Sequence, residues 1–295
     1  MSRENQMRCR TSPYGRVSQV VEYYNHTRLD YRLLWHNRNN LAFHFGYYEE
    51  GIDNHSRALE NGNHVLANIA GIGSGQRVLD AGCGLGGSSL WLAGHRGAHP
   101  VGITTVEHQV RMARAIAARR SLSDKARFVQ ADYTAMPFAD GSFDVVWAFE
   151  SLCHASEKAA FYSEAARVLR PGGRLVVAEY IRASRICDST AQTLFGEWLE
   201  GWAIPDLYTA DEHLAAARNA GFHDAELRDY TCSTRRSLRR LYKLACIAAP
   251  IDWTLYLLGL RSGRQHGNVV AALRQYQALR CGLWFYGILT ASKPW

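Results

Sequence analysis

The 295-residue chain is short of several features, and each shortage closes off a class. It has only seven prolines and no repeat or low-complexity tract, so a chain that is 47% apolar and 21% charged reads as neither fibrous nor disordered. Its seven cysteines, from Cys9 to Cys281, are odd in number and contain no CxxC pair, which argues against a disulfide scaffold. No apolar run reaches the ~20 clean residues of a spanning helix. The longest, Leu244–Leu260, carries Pro250 and Asp252 and reads as a buried lid or an interface helix. The polar start, Met1 to Arg10, lacks the apolar stretch of a signal peptide. The expectation is a cytoplasmic protein with reduced thiols and no stable membrane insertion.

The net charge of +7 is concentrated. Residues 234–281 carry nine Arg and Lys, Arg235 and Arg239 among them, against Asp252 alone, so the rest of the chain is close to neutral. Such a segment suits an anionic ligand, an anionic membrane or nucleic acid, and equally an ordinary solvated helix face.

Short Val-rich runs at Arg77–Ala81, Pro100–Thr104, Ala126–Gln130, Phe143–Ala148 and Arg174–Tyr180 read as buried parallel strands. Helical patterns at Ser88–His95, Glu107–Arg120 and Glu157–Leu169 lie between them. That alternation demands a doubly wound α/β sheet. Ala225–Cys232 and Trp284–Ser292 read as two further strands, giving a Rossmann-like seven-stranded sheet with a helical insertion before the last strand. The expected organisation is an N-terminal helical and aromatic lid over 1–70, a cofactor-binding core over 71–233, a basic helical insertion over 234–283 and a last core strand over 284–295.

The strongest local signal is Val78-Leu79-Asp80-Ala81-Gly82-Cys83-Gly84-Leu85-Gly86-Gly87, a strand running into a glycine-rich turn that opens a helix. Glycines suit places where a ligand approaches the backbone or φ is positive. Gly82, Gly84 and Gly87 satisfy the dinucleotide fingerprint on paper. However, Asp80 directly before them is badly placed for a pyrophosphate, and Gly102-Ile103-Thr104 offers no carboxylate for a ribose.

D-A-G-C-G-L-G-G resembles the first motif of the class I S-adenosylmethionine-dependent methyltransferases. Ala131-Asp132, Pro137 to Asp144 and Leu169-Arg170-Pro171-Gly172-Gly173-Arg174-Leu175 follow in the order that family shows. The resemblance implies that Asp80, Gly82 and Gly84 hold the methionine end of S-adenosylmethionine and that Asp132 accepts from the adenine amino group, with Tyr133 beside it. Gly102-Ile103-Thr104 with Gln109 is similar to the pattern of sterol, tocopherol and related methyltransferases, where a hydroxyl and an amide stand in for the ribose carboxylate. Thr104 is also open to a helix-cap reading.

Phe149-Glu150-Ser151-Leu152-Cys153-His154-Ala155 follows the fourth strand at the carboxyl edge of the sheet, where ligands of open α/β folds bind. It resembles the E-x-x-C-H-A segment of sterol C-methyltransferases, and Glu150 matches the base of prenyl-diphosphate C-methyltransferases. Tyr23-Tyr24 and His44-Phe45-Gly46-Tyr47 look like the aromatic lid of those families. The chemistry implied is attack of an alkene on a methyl donor, shielding of the carbocation by aromatic rings, and loss of a proton to a base. Glu150 is the first candidate base, His154 the second and Glu179 the fallback. Tyr180, Trp202 and Tyr208 are candidate substrate contacts. A geranyl- or farnesyl-type diphosphate, with Mg2+ a candidate companion, would give Arg235, Arg239 and His266 a ligand, although no DDxxD-type cluster is present. A neutral sterol-like or prenylated substrate would leave them on the surface. An O- or N-methyltransferase using His154 is a rival reading, and a non-catalytic binder of RNA or lipid a more distant one. The partner expected is a small isoprenoid and no nucleic acid, with self-association open.

Overall fold

The computed structural model describes residues 21–24, 26, 41–183 and 188–295. Half of the expected lid, residues 1–20, 25 and 27–40, lies outside them. The short apolar runs form one seven-stranded sheet in the order β3-β2-β1-β4-β5-β7-β6. Strands β1 (Arg77–Ala81), β2 (His99–Thr104), β3 (Arg127–Gln130), β4 (Phe143–Phe149) and β5 (Leu169–Arg182) are parallel. Strand β7 (Trp284–Ser292) runs antiparallel between β5 and β6 (His223–Asp229).

Helices cover both faces. Helix α1 is His55–Ile69, started by Asn54, whose side-chain oxygen accepts from Ser56 N at 2.8 Å. Helix α2, Gly87–Trp91, runs into a wider π turn over Leu92–Arg96. Helices α3 (Glu107–Arg119) and α4 (Lys158–Val168) complete the βα units. Helices α5 (Ser189–Gly201) and α6 (Ala210–Asn219) precede β6. The insertion before β7 is an antiparallel-type pair, α7 (Thr231–Leu257) and α8 (Gly263–Arg280).

The period-two alternation of strand side chains splits the core into two layers. Val145, Trp147, Phe149, Tyr180 and Tyr286 join one layer with α5, α7 and α8, while Val146, Ala148, Val177 and Leu289 join the other. The first layer holds most of the large buried rings, and Cys153, Tyr180, Trp202 and Ile204 of that layer line the smaller cavity described below.

Two expectations change. The sixth strand ends at Asp229, not Cys232, because the Asp229 carboxylate accepts from Thr231 N at 2.7 Å and turns the chain into α7. Leu244–Leu260 is not buried: Ile247, Ile251, Leu257, Leu258 and Leu260 are exposed.

Candidate active site

The cleft sits at the carboxyl ends of β1, β2 and β4, where the first turn of each βα unit leaves the sheet. Its walls include Asp80, Gly82, Gly84, Thr104, Gln109, Asp132, Tyr133, Glu150, His154 and Tyr24. All the residues assigned to the cofactor from sequence therefore share one cavity. A smaller cavity continues from it between Tyr24, Phe43, Glu150, His154, Tyr180 and Trp202.

The glycine turn is shaped by close approach. Gly82 and Gly84 both have positive φ, and a Cβ at Gly82 would collide with the Ser151 side chain, one at Gly84 with the Phe43 ring. Asp80 is buried and accepts the Ser89 hydroxyl at 2.6 Å; burial raises its pKa to about 6. The Thr104 hydroxyl donates to Gln109 Oε1 at 2.8 Å and accepts Val106 N–H at 3.2 Å, so it braces the start of α3 and orients a buried amide at once. Asp132 Oδ1 accepts from Thr134 N and Oγ1, both at 2.8 Å. Tyr133 donates to Ser151 O at 3.0 Å, tying the third βα turn to the fourth. This set of a carboxylate, a glycine cradle, a Thr–Gln pair and a second carboxylate fits a ligand carrying a cation, hydroxyls and an amino-bearing base.

Glu150 is the most constrained side chain in the cleft. Its backbone takes φ of +50°, a left-handed conformation that costs a non-glycine residue on the order of 1–2 kcal/mol. Its Oε1 accepts from Phe45 N at 2.8 Å and from the Tyr286 hydroxyl at 2.7 Å; its Oε2 accepts from the Tyr180 hydroxyl at 2.7 Å. Tyr180 and Tyr286 are direct cross-strand partners on β5 and β7, which is why both hydroxyls reach the same carboxylate. Burial pushes the Glu150 pKa up to about 8 in spite of three donors, helped by the charge of Glu179.

His154 closes a short 3-10 turn, Leu152–His154. Its Nδ1 lies 3.5 Å from Ala203 O and its Nε2 lies 3.2 Å from the Tyr24 hydroxyl. A carbonyl only accepts, so the proton sits on Nδ1 and the Tyr24 hydroxyl donates to Nε2. Burial lowers the His154 pKa to about 4, which keeps the ring neutral. Glu179 does not line the cavities: its oxygens accept from Cys153 N at 2.7 Å and Tyr180 N at 2.9 Å, so it fastens the turn that carries His154.

The remaining candidates separate. Tyr180 and Trp202 line the smaller cavity. Tyr208 lies outside both cavities, its ring 5.3 Å from Lys158 Nζ and 5.4 Å from His213. Arg235 and Arg239 are exposed on α7. His266 contacts Asp252 Oδ2 at 2.6 Å and stacks on Tyr256 at 4.3 Å, away from the cleft. Among the described residues no lining side chain is Lys or Arg, and no cluster of His, Cys, Asp and Glu could hold a metal ion. The described residues therefore offer no set of ligands for a resident Mg2+.

Phe43 is not picked out by the sequence, and Tyr286 and Phe45, legible there only as one of many available aromatics and as part of the lid, gain their role as Glu150 donors from the fold. Only the aromatic density of Phe43-His44-Phe45 and Trp284-Phe285-Tyr286 signalled them, and cross-strand register, which decides the matter, is not written locally.

A methyltransferase-domain family model matches residues 79–177. Sterol 24-C-methyltransferase ERG6B of Gibberella zeae is 37% identical over 72% of this chain, which spans 55% of that relative's length. Methyltransferase GfsG of Streptomyces halstedii is 31% identical over 85% of this chain and 87% of its own. The crystal structure of the [4+2]-cyclase SpnF superposes with a TM-score of 0.77 at 28% identity, covering 94% of this chain and 97% of that one. Motif order, sheet topology, cleft and relatives agree, and the chain belongs to the class I S-adenosylmethionine-dependent methyltransferases.

Proposed function

We propose that this enzyme methylates an alkene carbon of a neutral isoprenoid-type molecule and that Glu150 accepts the proton lost afterwards. The observation that carries the reading is the Glu150 carboxylate, buried between Tyr180 and Tyr286 at the join of the two cavities. A sterol C-methyltransferase among the relatives supports transfer to carbon in an isoprenoid framework.

Asp80, Gly82, Gly84, Thr104, Gln109, Asp132 and Tyr133 would hold S-adenosylmethionine, and Tyr24 would cover it. When bound, that cofactor supplies an electrophilic methyl group. The chain's own part is to position an alkene in the smaller cavity, exclude water and manage charge. Trp202, Tyr180, Phe43 and Tyr24 present ring faces and edges that stabilise a tertiary cation without reacting with it. Glu150 then removes the proton. Its hydroxyl donors set its position, and the positive charge of the methyl donor, when bound, would favour the ionised carboxylate, so Glu150 would release its own proton to solvent before methyl transfer and stand ready as a base. Neutral His154, held by Tyr24, is a wall residue with a free role as base only if the substrate brings an O–H or N–H.

A neutral substrate is favoured over a prenyl diphosphate because the described lining carries no cation, while Arg235, Arg239 and His266 lie elsewhere. The test is a mass-spectrometric screen of the purified enzyme with S-adenosylmethionine against a sterol, a prenylated indole, geranyl and farnesyl diphosphate with Mg2+, and simple phenols and amines. Methylation of the neutral alkenes is expected. Product from diphosphates alone would return the arginines to the site, and product from phenols or amines alone would make His154 the base.

A further inference from the structure

We propose that the exposed face of α7 docks the enzyme onto an anionic lipid bilayer. The helix buries Thr234, Leu238, Leu241, Ala245 and Asp252 against the fold. At about 100° per residue the exposed basic and aliphatic positions share one side of the helix, an arc of roughly 160°, with Tyr256 turned off it towards His266. That side changes character along its length. Its first half presents Arg235, Arg236, Arg239, Arg240 and Lys243, all exposed and forming no ion pair with any described residue. Its second half and the turn into α8 present Ile247, Ile251, Leu257, Leu258 and Leu260, each 66–77% exposed, with Trp253 beside them.

Apolar side chains that far out of the fold have no partner within the described chain. A cationic strip followed on the same helix side by an apolar tip matches a bilayer edge, with phosphate headgroups over the arginines and acyl chains around the leucines. Charge complementarity selects a lipid surface over a second copy of this chain, since two such faces would oppose their own arginines. No helix among the described residues is long and apolar enough to cross a membrane, so the contact is interfacial.

The tip is also rigidly built. Asp252, buried, is within 2.6 Å of both Arg261 and His266, and His266 stacks on Tyr256, so the α7–α8 turn is pinned from beneath. The first two turns of α8, next to that tip, also reach the lid and the smaller cavity. Asn268 on α8 accepts from Tyr23 at 2.9 Å and, through its carbonyl, from Trp202 Nε1 at 3.4 Å; Arg264 pairs with Glu22 at 2.8 Å. The docking face and the lid are thus parts of one connected unit.

The experiment is vesicle flotation of the full chain at physiological salt, using phosphatidylcholine alone and an equal mixture with phosphatidylglycerol. It needs no substrate, so its outcome is separate from that of the methylation reading. The expected result is binding to the mixed vesicles, weaker by about ten-fold on neutral vesicles, in Ile251→Ser with Leu258→Ser and in Arg239→Glu with Lys243→Glu, with unchanged thermal unfolding of both variants. The substituted positions are exposed, so folding is not at stake. Absence of vesicle binding overturns the proposal, whether the protein stays monomeric or self-associates through this face. Binding that survives the Ser substitutions overturns it too, because basic residues alone would then account for it.

Discussion

Asp80 and Glu150 stand at the ends of adjacent strands, both buried and both carboxylates, yet the protein holds them differently. Asp80 lies in regular β1 and takes one hydroxyl from Ser89. Glu150 lies just past β4 in a left-handed conformation and takes three donors from three distant segments. The better-bonded group nevertheless has the higher pKa, about 8 against about 6, since full burial and the neighbouring charge of Glu179 outweigh the donors. At neutral pH Asp80 is mostly ionised and Glu150 mostly protonated. One is a standing countercharge for a cation, and the other would give up its proton to solvent when a cationic cofactor binds, before any proton is taken from substrate.

The largest expected effect separates those roles. Glu150→Gln should lower turnover by on the order of 10²–10⁴, the range of a lost general base, with cofactor affinity in calorimetry changed only a few-fold. Asp80→Asn should do the reverse, weakening cofactor binding by roughly ten- to a hundred-fold with turnover at saturating cofactor less affected. Should both variants show the same pattern, the two carboxylates share one role.

Next in size are the tyrosines. Removing one charge-assisted hydrogen bond in Tyr286→Phe or Tyr180→Phe should move the rising limb of the pH–rate profile upward by about one unit and slow turnover by about ten-fold. A profile that stays in place would mean that the hydroxyls do not tune the carboxylate.

Stability should carry the same signature. Both groups have folded values raised above unfolded ones near 4, so their contribution is fully present below about pH 4 and is lost as pH rises through about 6 for Asp80 and about 8 for Glu150. Below about pH 6.5 this loss is opposed by His44, His55, His154 and His213, whose lowered values make the fold gain stability as pH rises, so thermal unfolding of the ligand-free enzyme should fall clearly only from about pH 6.5 to 8, and Glu150→Gln should flatten that part. The smallest effect is expected at the lid, where Tyr24→Phe removes the bond to neutral His154 and should weaken cofactor affinity by about two- to five-fold in calorimetry.

The two carboxylates also mark what a sequence can reveal. Asp80 and its glycines were legible because strand, turn and helix are contiguous, and a ligand's approach demands small residues at fixed offsets. Strand β1 and strand β7 were readable to the residue for a related reason: a buried strand is a short, largely apolar run between turn residues. Glu150 could be singled out, but its environment could not, since Phe45, Tyr180 and Tyr286 come from 105, 30 and 136 positions away. Nor could charge density place Arg235, Arg239 and His266, which composition gathers into one segment while the fold leaves both arginines exposed on α7 and tucks His266 against Asp252 and Tyr256. Leu244–Leu260 misled for the opposite reason, an apolar run being the usual mark of burial.

The most direct test of Glu150 as the terminal base is product analysis of Glu150→Gln with an alkene substrate that the native enzyme methylates. Continued, slowed consumption of S-adenosylmethionine, with the normal alkene replaced by isomeric alkenes or a water-captured alcohol, is the expected result. The same alkene formed at an unchanged rate would contradict it and assign the proton to another group.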